Sequence, residues 1–312
     1  MYDFKTFAQM NLDLIFQGFD RMPQPGEEVF AKRFTMQLGG GPIVCPIVLE
    51  QLGFRVRLGT FLGQDDVSNL CRRLLDQRGF SSYDEFAQDN PDPVVVTSVF
   101  SWEHDRGFLA HNEGVYESIL DPETVYGFLR DAKVVFAPVG QPEVTRRLHE
   151  EGVKVVYDSG WSDDLSIDGI KAFLPYIDVY TPNDKEARKL AGTDDLEEAV
   201  RFLAGYTPHP VVTLGKGGCA YWHDGSIRYV SAIDEFRAVD TTGAGDIFGG
   251  SAMSRFLLLN KRPEELSVSE MTEIVRFACC AASLSTQIHG GISSVIPMEQ
   301  VLACVEKTYK AR

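Results

Sequence analysis

Short runs rich in β-branched and aromatic residues alternate with amphipathic stretches along most of the chain. RVRLGTF (55–61), KVVFAPV (133–139), KVVYD (154–158), IDVYTP (177–182) and PVVTLG (210–215) predict strands. Pro142–Glu151, Asp184–Ala191 and Leu196–Ala204 predict helices between them. Such alternation predicts βαβ units around a mainly parallel sheet, and the continuous Val/Ile content suits strands covered on both faces. Two regions break the rhythm. Residues 11–37 carry RMPQPGEEVFAKRF, rich in turn formers and charge. Residues 93–113 read as strand, turn, strand: PVVVTSVF, SWEHDR, GFLAH. Together they predict a small sheet standing off the main one. The last third is helical, with Ser267 and Glu270 spaced as a capping box and Pro297 placed to start a helix. No repeat, low-complexity tract or linker interrupts residues 1–312, which read as a single domain.

Composition narrows the class. A chain of 312 residues with 44% hydrophobic and 24% charged positions can bury a full α/β core. Its net charge of −15 argues against general nucleic-acid or anionic-membrane binding, which need a positive field. The start, MYDFKTFAQM, lacks the pattern of a signal peptide, and no apolar run is long enough to span a bilayer. Cys45, Cys71, Cys219, Cys279, Cys280 and Cys304 form no C-x-x-C pair and read as reduced thiols. A cytoplasmic enzyme is the simplest expectation.

The stretch DTTGAGDIFGG (240–250) places Gly243, Ala244 and Gly245 between a β-like segment and a helix. Free amides at a helix start, aided by the helix dipole, form an anion site. Asp246 in the first turn is placed to take a proton from an attacking hydroxyl; the competing reading is an ordinary helix cap. TLGKGG (213–218) offers Thr213, Gly215, Lys216 and Gly218 to phosphates, or is a plain hairpin turn. Asn183 and Glu186 lie three apart, either organising water around a magnesium ion or capping a helix. Gly39, Gly40 and Gly41 precede an apolar helix, and Asn11 with Asp13 could bind hydroxyls or form a turn. The histidines have no metal-ligand spacing, GGSAM lacks the last glycine of a nucleophile elbow, and Cys279-Cys280 reads as core. The pairs Asp65-Asp66, Asp163-Asp164 and Asp194-Asp195 read as solvated turns.

Taken in order, these segments resemble the ribokinase-like (PfkB) carbohydrate kinase family over essentially the whole chain. DTTGAGDIFGG resembles its C-terminal signature, LGGG…LEQLG its N-terminal one, PNDKEA its Asn-x-x-Glu motif and TLGKGG its nucleotide turn. The resemblance implies a three-layer α/β/α fold with a small β-sheet lid drawn from 11–37 and 93–113, often also a dimer interface. It implies phosphoryl transfer from ATP to a hydroxymethyl group, with Asp246 as general base and the amides of Gly243, Ala244 and Gly245 as anion hole. Asn183 and Glu186 would organise Mg²⁺ and water. Thr213, Gly215 and Gly218 would line the nucleotide, with Lys216 near the phosphates, and the helix around Cys279 and Cys280 would flank adenine. Asn11, Asp13, Gly39 and Gly40 would face the acceptor. Asp240, Thr242 and Ser294, in GGISS, would be candidates for K⁺.

The chain departs from the family where an asparagine usually follows the glycine pair: Val44 stands there, followed by Cys45 and Pro46, and Pro46 is expected to kink the helix. Gly41 replaces the lysine found in many relatives that act on sugar phosphates. The expected acceptor is therefore a free sugar, with Arg106 and His111 of the second lid segment able to compensate from above. A nucleoside kinase on the same scaffold is the alternative, left open by Trp102. A non-catalytic sugar or nucleotide sensor is a third reading, and an isomerase or aldolase would leave both phosphate-binding turns unexplained.

Overall fold

A computed structural model describes residues 1–86, 91–102, 105–111, 121–233, 238–239, 241, 243–287 and 296–310. In chain order the first half forms β1 (Tyr2–Phe7), β2 (Asn11–Gln17), β3 (Arg33–Leu38), α1 (Gly41–Gln51), β4 (Val56–Phe61), α2 (Asp66–Gln77), β5 (Tyr83–Phe86), β6 (Val95–Trp102), β7 (Asp105–His111), α3 (Pro122–Leu129), β8 (Ala132–Phe136) and α4 (Pro142–Glu150). The second half adds β9 (Lys154–Tyr157), α5 (Ile167–Ile170), β10 (Val179–Tyr180), α6 (Asp184–Ala191), α7 (Leu196–Ala204), β11 (Val211–Thr213), β12 (Cys219–His223), β13 (Ser226–Val230), α8 (Ala244–Leu259), α9 (Val268–Ser285) and α10 (Met298–Val305).

Six parallel strands in the order β10-β9-β8-β1-β4-β5 form the central sheet. Bridges from Tyr180 to Pro210 and from Asn183 to Thr213 join its β10 edge to an antiparallel sheet, β11-β12-β13. Alternate strand residues face opposite helix layers. Val135 and Val155 pack with α3, α4, α6 and α7, whereas Val134 and Phe136 pack with α1, α2 and α8. The result is a three-layer α/β/α fold, as the Val/Ile-rich strands and intervening amphipathic helices require. From β1 the chain moves outward to β4 and β5, then returns to β8 on the other side of β1. Such a reversal of strand order is the place where open α/β sheets bind ligands, at the carboxyl ends of their strands.

Strands from the two irregular segments pair in a separate sheet, β3-β2-β6-β7. Only its β2–β6 pairing is parallel. Its outer face carries Phe16 stacked on Phe100 and tilted against Phe34, and exposes Phe34, Met36 and Leu109 at 50%, 43% and 68%. The predicted caps are present: Ser267 and Glu270 bond reciprocally at the start of α9, and Pro297 is the N-cap of α10. Asp65 and Asp195 are more than solvated turns, for their carboxylates accept from the backbone N–H of Ser68 and Glu198 and cap α2 and α7. Helix α1 continues from Gly41 to Gln51 with Pro46 inside it. All the cysteines are free, and Cys45, Cys71, Cys219, Cys279 and Cys280 are buried. No helix among the described residues is long and apolar enough to cross a membrane.

His209 and His223 are buried together, their Nδ1 atoms 3.3 Å apart. The Nε2 of His223 lies 2.9 Å from the Leu266 carbonyl and must donate to it. His223 Nδ1 is then an acceptor, His209 Nδ1 donates to it, and His209 Nε2 remains buried without a partner. Burial, then the neighbouring His223, pushes His209 down to about 4. An unfolded histidine titrates near 6.5, so between these values the unfolded chain binds a proton that the fold rejects. Stability is therefore complete above about pH 6.5 and falls toward pH 4, by roughly 3 kcal/mol from this group. Urea unfolding at pH 7 and pH 4.5 should show a smaller acid loss in His209→Asn, which keeps a donor to His223; equal losses would refute this account.

Candidate active site

Gly243 is the N-cap of α8, and its φ of 75° puts it in the left-handed region that glycine tolerates. The turn leads straight into Ala244, Gly245 and Asp246, with the Gly243 carbonyl accepting from Ile247 N–H at 2.9 Å. The Ala244 amide already reaches the Thr241 carbonyl at 3.3 Å, leaving that bond long. Helix α8 is buried nearly all round, by Ile247, Phe248, Met253, Phe256 and Leu257 among others.

Interior glycines weaken a helix, yet here Gly250 lets another helix approach closely, while Gly249 has room for a methyl group. A Cβ at Gly250 would lie 3.2 Å from Val48 Cβ, and one at Gly249 would lie 3.7 Å from Cys45 Sγ. Helix α1 thus lies against α8, with its first residue, Gly41, beside Asp246: a Cβ there would meet Asp246 Oδ1 at 3.4 Å. Cys45 and Val44 follow on α1. Val44 is fully buried with Val48, Ile247 and Phe277, so it offers no surface to an acceptor. The helical turn that aims Gly41 at Asp246 turns Val44 into the core.

The predicted acceptor residues meet one another next to this contact. Asn11 Nδ2 donates to Asp13 Oδ1 at 3.1 Å, and Thr97 Oγ1 donates to Asn11 Oδ1 at 3.2 Å. Gly39 N–H donates to the Asn11 carbonyl at 3.0 Å. A Cβ on Gly39 would fall 2.4 Å from an Asp13 carboxylate oxygen, so only glycine leaves room for Asp13 there. Gly40, with φ 83°, then turns the chain into α1. His111 is exposed at the end of β7, while the Arg106 side chain lies outside the described residues. So do Asp240, Thr242 and Ser294.

On the other side of Asp246 the strand ends line up. Asn183 caps α6 and forms a full capping box with Glu186. Asn183 N–H and Nδ2 donate to the two Glu186 oxygens at 2.9 and 2.7 Å, and Glu186 N–H donates back to Asn183 Oδ1 at 2.9 Å. Asn183 also bridges to Thr213, whose N–H donates to the Pro182 carbonyl at 3.0 Å. The glycine turn follows directly. Gly215 and Gly218 take φ of 55° and 90°. A Cβ at Gly218 would come within 2.0 Å of the Val230 carbonyl, so this glycine lets the turn close onto β13. Lys216 is exposed at the tip. Cys279 is buried at 5% in the core shared by α9, β11 and β12; its backbone helix borders this region, but its thiol does not open onto it.

Asp158 is the residue that sequence reading passed over. It follows β9 and accepts from Gly160 N–H at 3.1 Å. Burial raises its carboxyl to about 7, partly offset by the Gly160 bond, and the charge of Asp246 adds to the rise. Glu186 also rises to about 7, from burial first and the Asp158 charge second, against the pull of the Asn183 bonds. Asp246, Asp158 and Glu186 therefore form an interacting row of carboxylates. A crevice of about 740 Å³, counted with its solvent-facing mouth, runs from Gly41, Asp158 and Asp246 under α8, between Val134, Val156 and Phe256. The only advance signal for Asp158 was its place in KVVYD, at the carboxyl end of a predicted parallel strand. Removing its charge should lower the Glu186 pKa but not restore the ordinary carboxylate value, because burial remains. A carbon-detected NMR titration of Asp158→Asn against the unaltered chain checks this; an unmoved Glu186 would show that the two do not interact.

Comparison with known proteins supplies the family and the fold. The family model described as pfkB family carbohydrate kinase matches residues 142–298. A probable fructokinase-4 of Arabidopsis thaliana is 23% identical, with 93% of this chain and 92% of that protein covered. A ribokinase of Lactococcus lactis subsp. lactis (strain IL1403) is 24% identical, covering 96% and 95%. The structure of Arabidopsis thaliana ribokinase complexed with ribose and ATP superposes with a TM-score of 0.76 at 24% identity, covering 98% of this chain and 99% of that one, and so shares the fold. A glycine-capped helix with its aspartate, a capping box at a strand end and a glycine turn beside it thus occur within a matching sequence and a matching fold, and the chain belongs to the pfkB family of carbohydrate kinases.

Proposed function

We propose that this enzyme transfers the γ-phosphoryl group of ATP to a hydroxymethyl group of a free sugar. The observation that carries the proposal is the placement of Asp246: first turn of α8, against Gly41, between the Asn11–Asp13–Gly39 cluster and the Asp158–Glu186 pair. Asn11 and Asp13 hold acceptor hydroxyls and aim one at the γ-phosphorus. Asp246 takes its proton as the new P–O bond forms and the bond to the β,γ-bridging oxygen breaks, releasing ADP. The amides of Gly243, Ala244 and Gly245, at the positive end of α8, stabilise the charge on the migrating group. Ribose and ATP bound to a relative of the same fold support this pairing of substrates.

Thr213, Gly215, Lys216 and Gly218 line the nucleotide phosphates in this reading, and α9 near Cys279 flanks the base. Among the described residues no group of three or more His, Cys, Asp or Glu side chains could hold a metal directly. Glu186 and Asp158 are nevertheless hard carboxylate donors, and Glu186 is fixed by Asn183, so both suit Mg²⁺ held through water. When bound there, Mg²⁺ would neutralise phosphate charge. K⁺ completes the proposed ion set on the strength of the sequence resemblance alone: its candidate ligands Asp240, Thr242 and Ser294 lie outside the described residues, and it would supply further neutralising charge.

The sheet β3-β2-β6-β7 is proposed as a lid that also mediates a homodimer. Its outer face leaves Phe34, Met36 and Leu109 in solvent, the type of apolar patch that associates. Light scattering should find a dimer for the unaltered chain and a monomer for Met36→Asp/Leu109→Asp. A monomeric unaltered chain would remove this proposal.

For the chemistry, ADP release is measured with MgATP and a panel of free pentoses, hexoses and polyols, alongside nucleosides and sugar phosphates. One free sugar should dominate, and Asp246→Asn should lower kcat by about 10²–10⁴-fold. Unchanged kcat in that variant would overturn the general-base assignment, and preference for a nucleoside would replace the sugar reading.

A further inference from the structure

Gln37 has a buried carboxamide with nothing to bond. It is 2% exposed, and both its Nε2 and its Oε1 lack a hydrogen-bond partner. Interiors rarely tolerate this: an amide removed from water without partners costs free energy at both atoms. A side chain of this type in a folded core calls for a group that arrives later, as a ligand does.

Its position says which ligand. Gln37 lies on β3 directly opposite Asp13 of β2 in the antiparallel register, so both side chains leave the same face of the sheet. On the far side of Asp13, in the parallel register, stands Thr97, which bonds Asn11. Gly39, two residues on from Gln37, is the position kept bare to admit the Asp13 carboxylate. The row Gln37–Asp13–Thr97 thus crosses the strands against Gly39, two residues before Gly41 and its contact with Asp246.

We infer that Gln37 is a specificity-determining residue that binds a second hydroxyl of the acceptor, next to the one held by Asp13. This rests on the sugar-kinase reading of the site. Chemistry fits the assignment. The carboxylate of Asp13 can only accept, whereas a carboxamide both donates and accepts. A hydroxyl also does both, so it can satisfy Gln37 as an apolar or purely anionic group cannot. Sites that satisfy buried polar groups only when the correct ligand is present discriminate strongly against analogues that lack the bonding atom.

The test uses the free sugar of the panel with the highest turnover, with its monodeoxy analogues, on the unaltered chain, Gln37→Leu and Gln37→Met. In the apolar variants the KM for that sugar should rise about tenfold or more with kcat nearly unchanged, because binding alone is lost. One deoxy analogue should be a poor substrate for the unaltered chain, and the variants should lose their preference for the parent sugar over it. Their thermal midpoints should be equal or higher, since two unpaired buried atoms are gone, which separates this outcome from misfolding. Turnover by the unaltered chain with KM and deoxy preference unmoved in both variants would overturn the role of Gln37 alone. Failure of every free sugar with the unaltered chain would overturn the sugar reading, and this inference with it.

Discussion

The close approach of α1 to α8 is the contact on which the candidate site depends. Gly250 gives up helix stability so that Val48 can lie close against the α8 backbone. Everything at the mouth of the crevice follows from that distance. Gly41 reaches Asp246, and Gly39 and Gly40 arrive with the same helix start. The β2–β3 register then brings Asn11 and Asp13 to the same place. A Cβ at Gly250 would press on Val48 in a packed interior, so the neighbour would have to shift by a few tenths of an ångström.

Charge sets the second constraint. Asp158 and Glu186 are both held near 7 by burial and by acidic neighbours. Like charges in a sheltered crevice are costly unless protonated or matched by cations. The site is thus arranged at a disadvantage when empty, in the same way that the unpartnered amide of Gln37 is. Both features run against folding stability. Both would be relieved by ligands of the kind proposed, a nucleotide with its cation on one side and a polyhydroxylated acceptor on the other. Stability comes from elsewhere, chiefly the aliphatic layers above and below the central sheet.

Several alternatives that the sequence offers turn out not to compete. Asn183 and Glu186 form a complete helix cap, and Glu186 also stands in the carboxylate row; the same bonds that cap α6 fix the orientation of Glu186. TLGKGG is a turn between antiparallel strands, yet the bridge from Thr213 to Asn183 places that turn against the same site. Val44 and Cys279 are different. Each lies on a helix that borders the site, but the helical rotation directs each side chain into the core.

The sequence by itself determined the alternation of strands and helices, the caps at Asn183 and Ser267, the glycine turns and the family to which they belong. These depend on local spacing and on backbone freedom, which neighbouring residues express directly. Only the tertiary structure decided that Asp158 joins Asp246 and Glu186, that Gly250 is a packing contact, and that Gln37 lies opposite Asp13 with its amide unmet. Those relations join residues from distant strands and helices through strand register, helix rotation and loss of solvent, and no local pattern carries them.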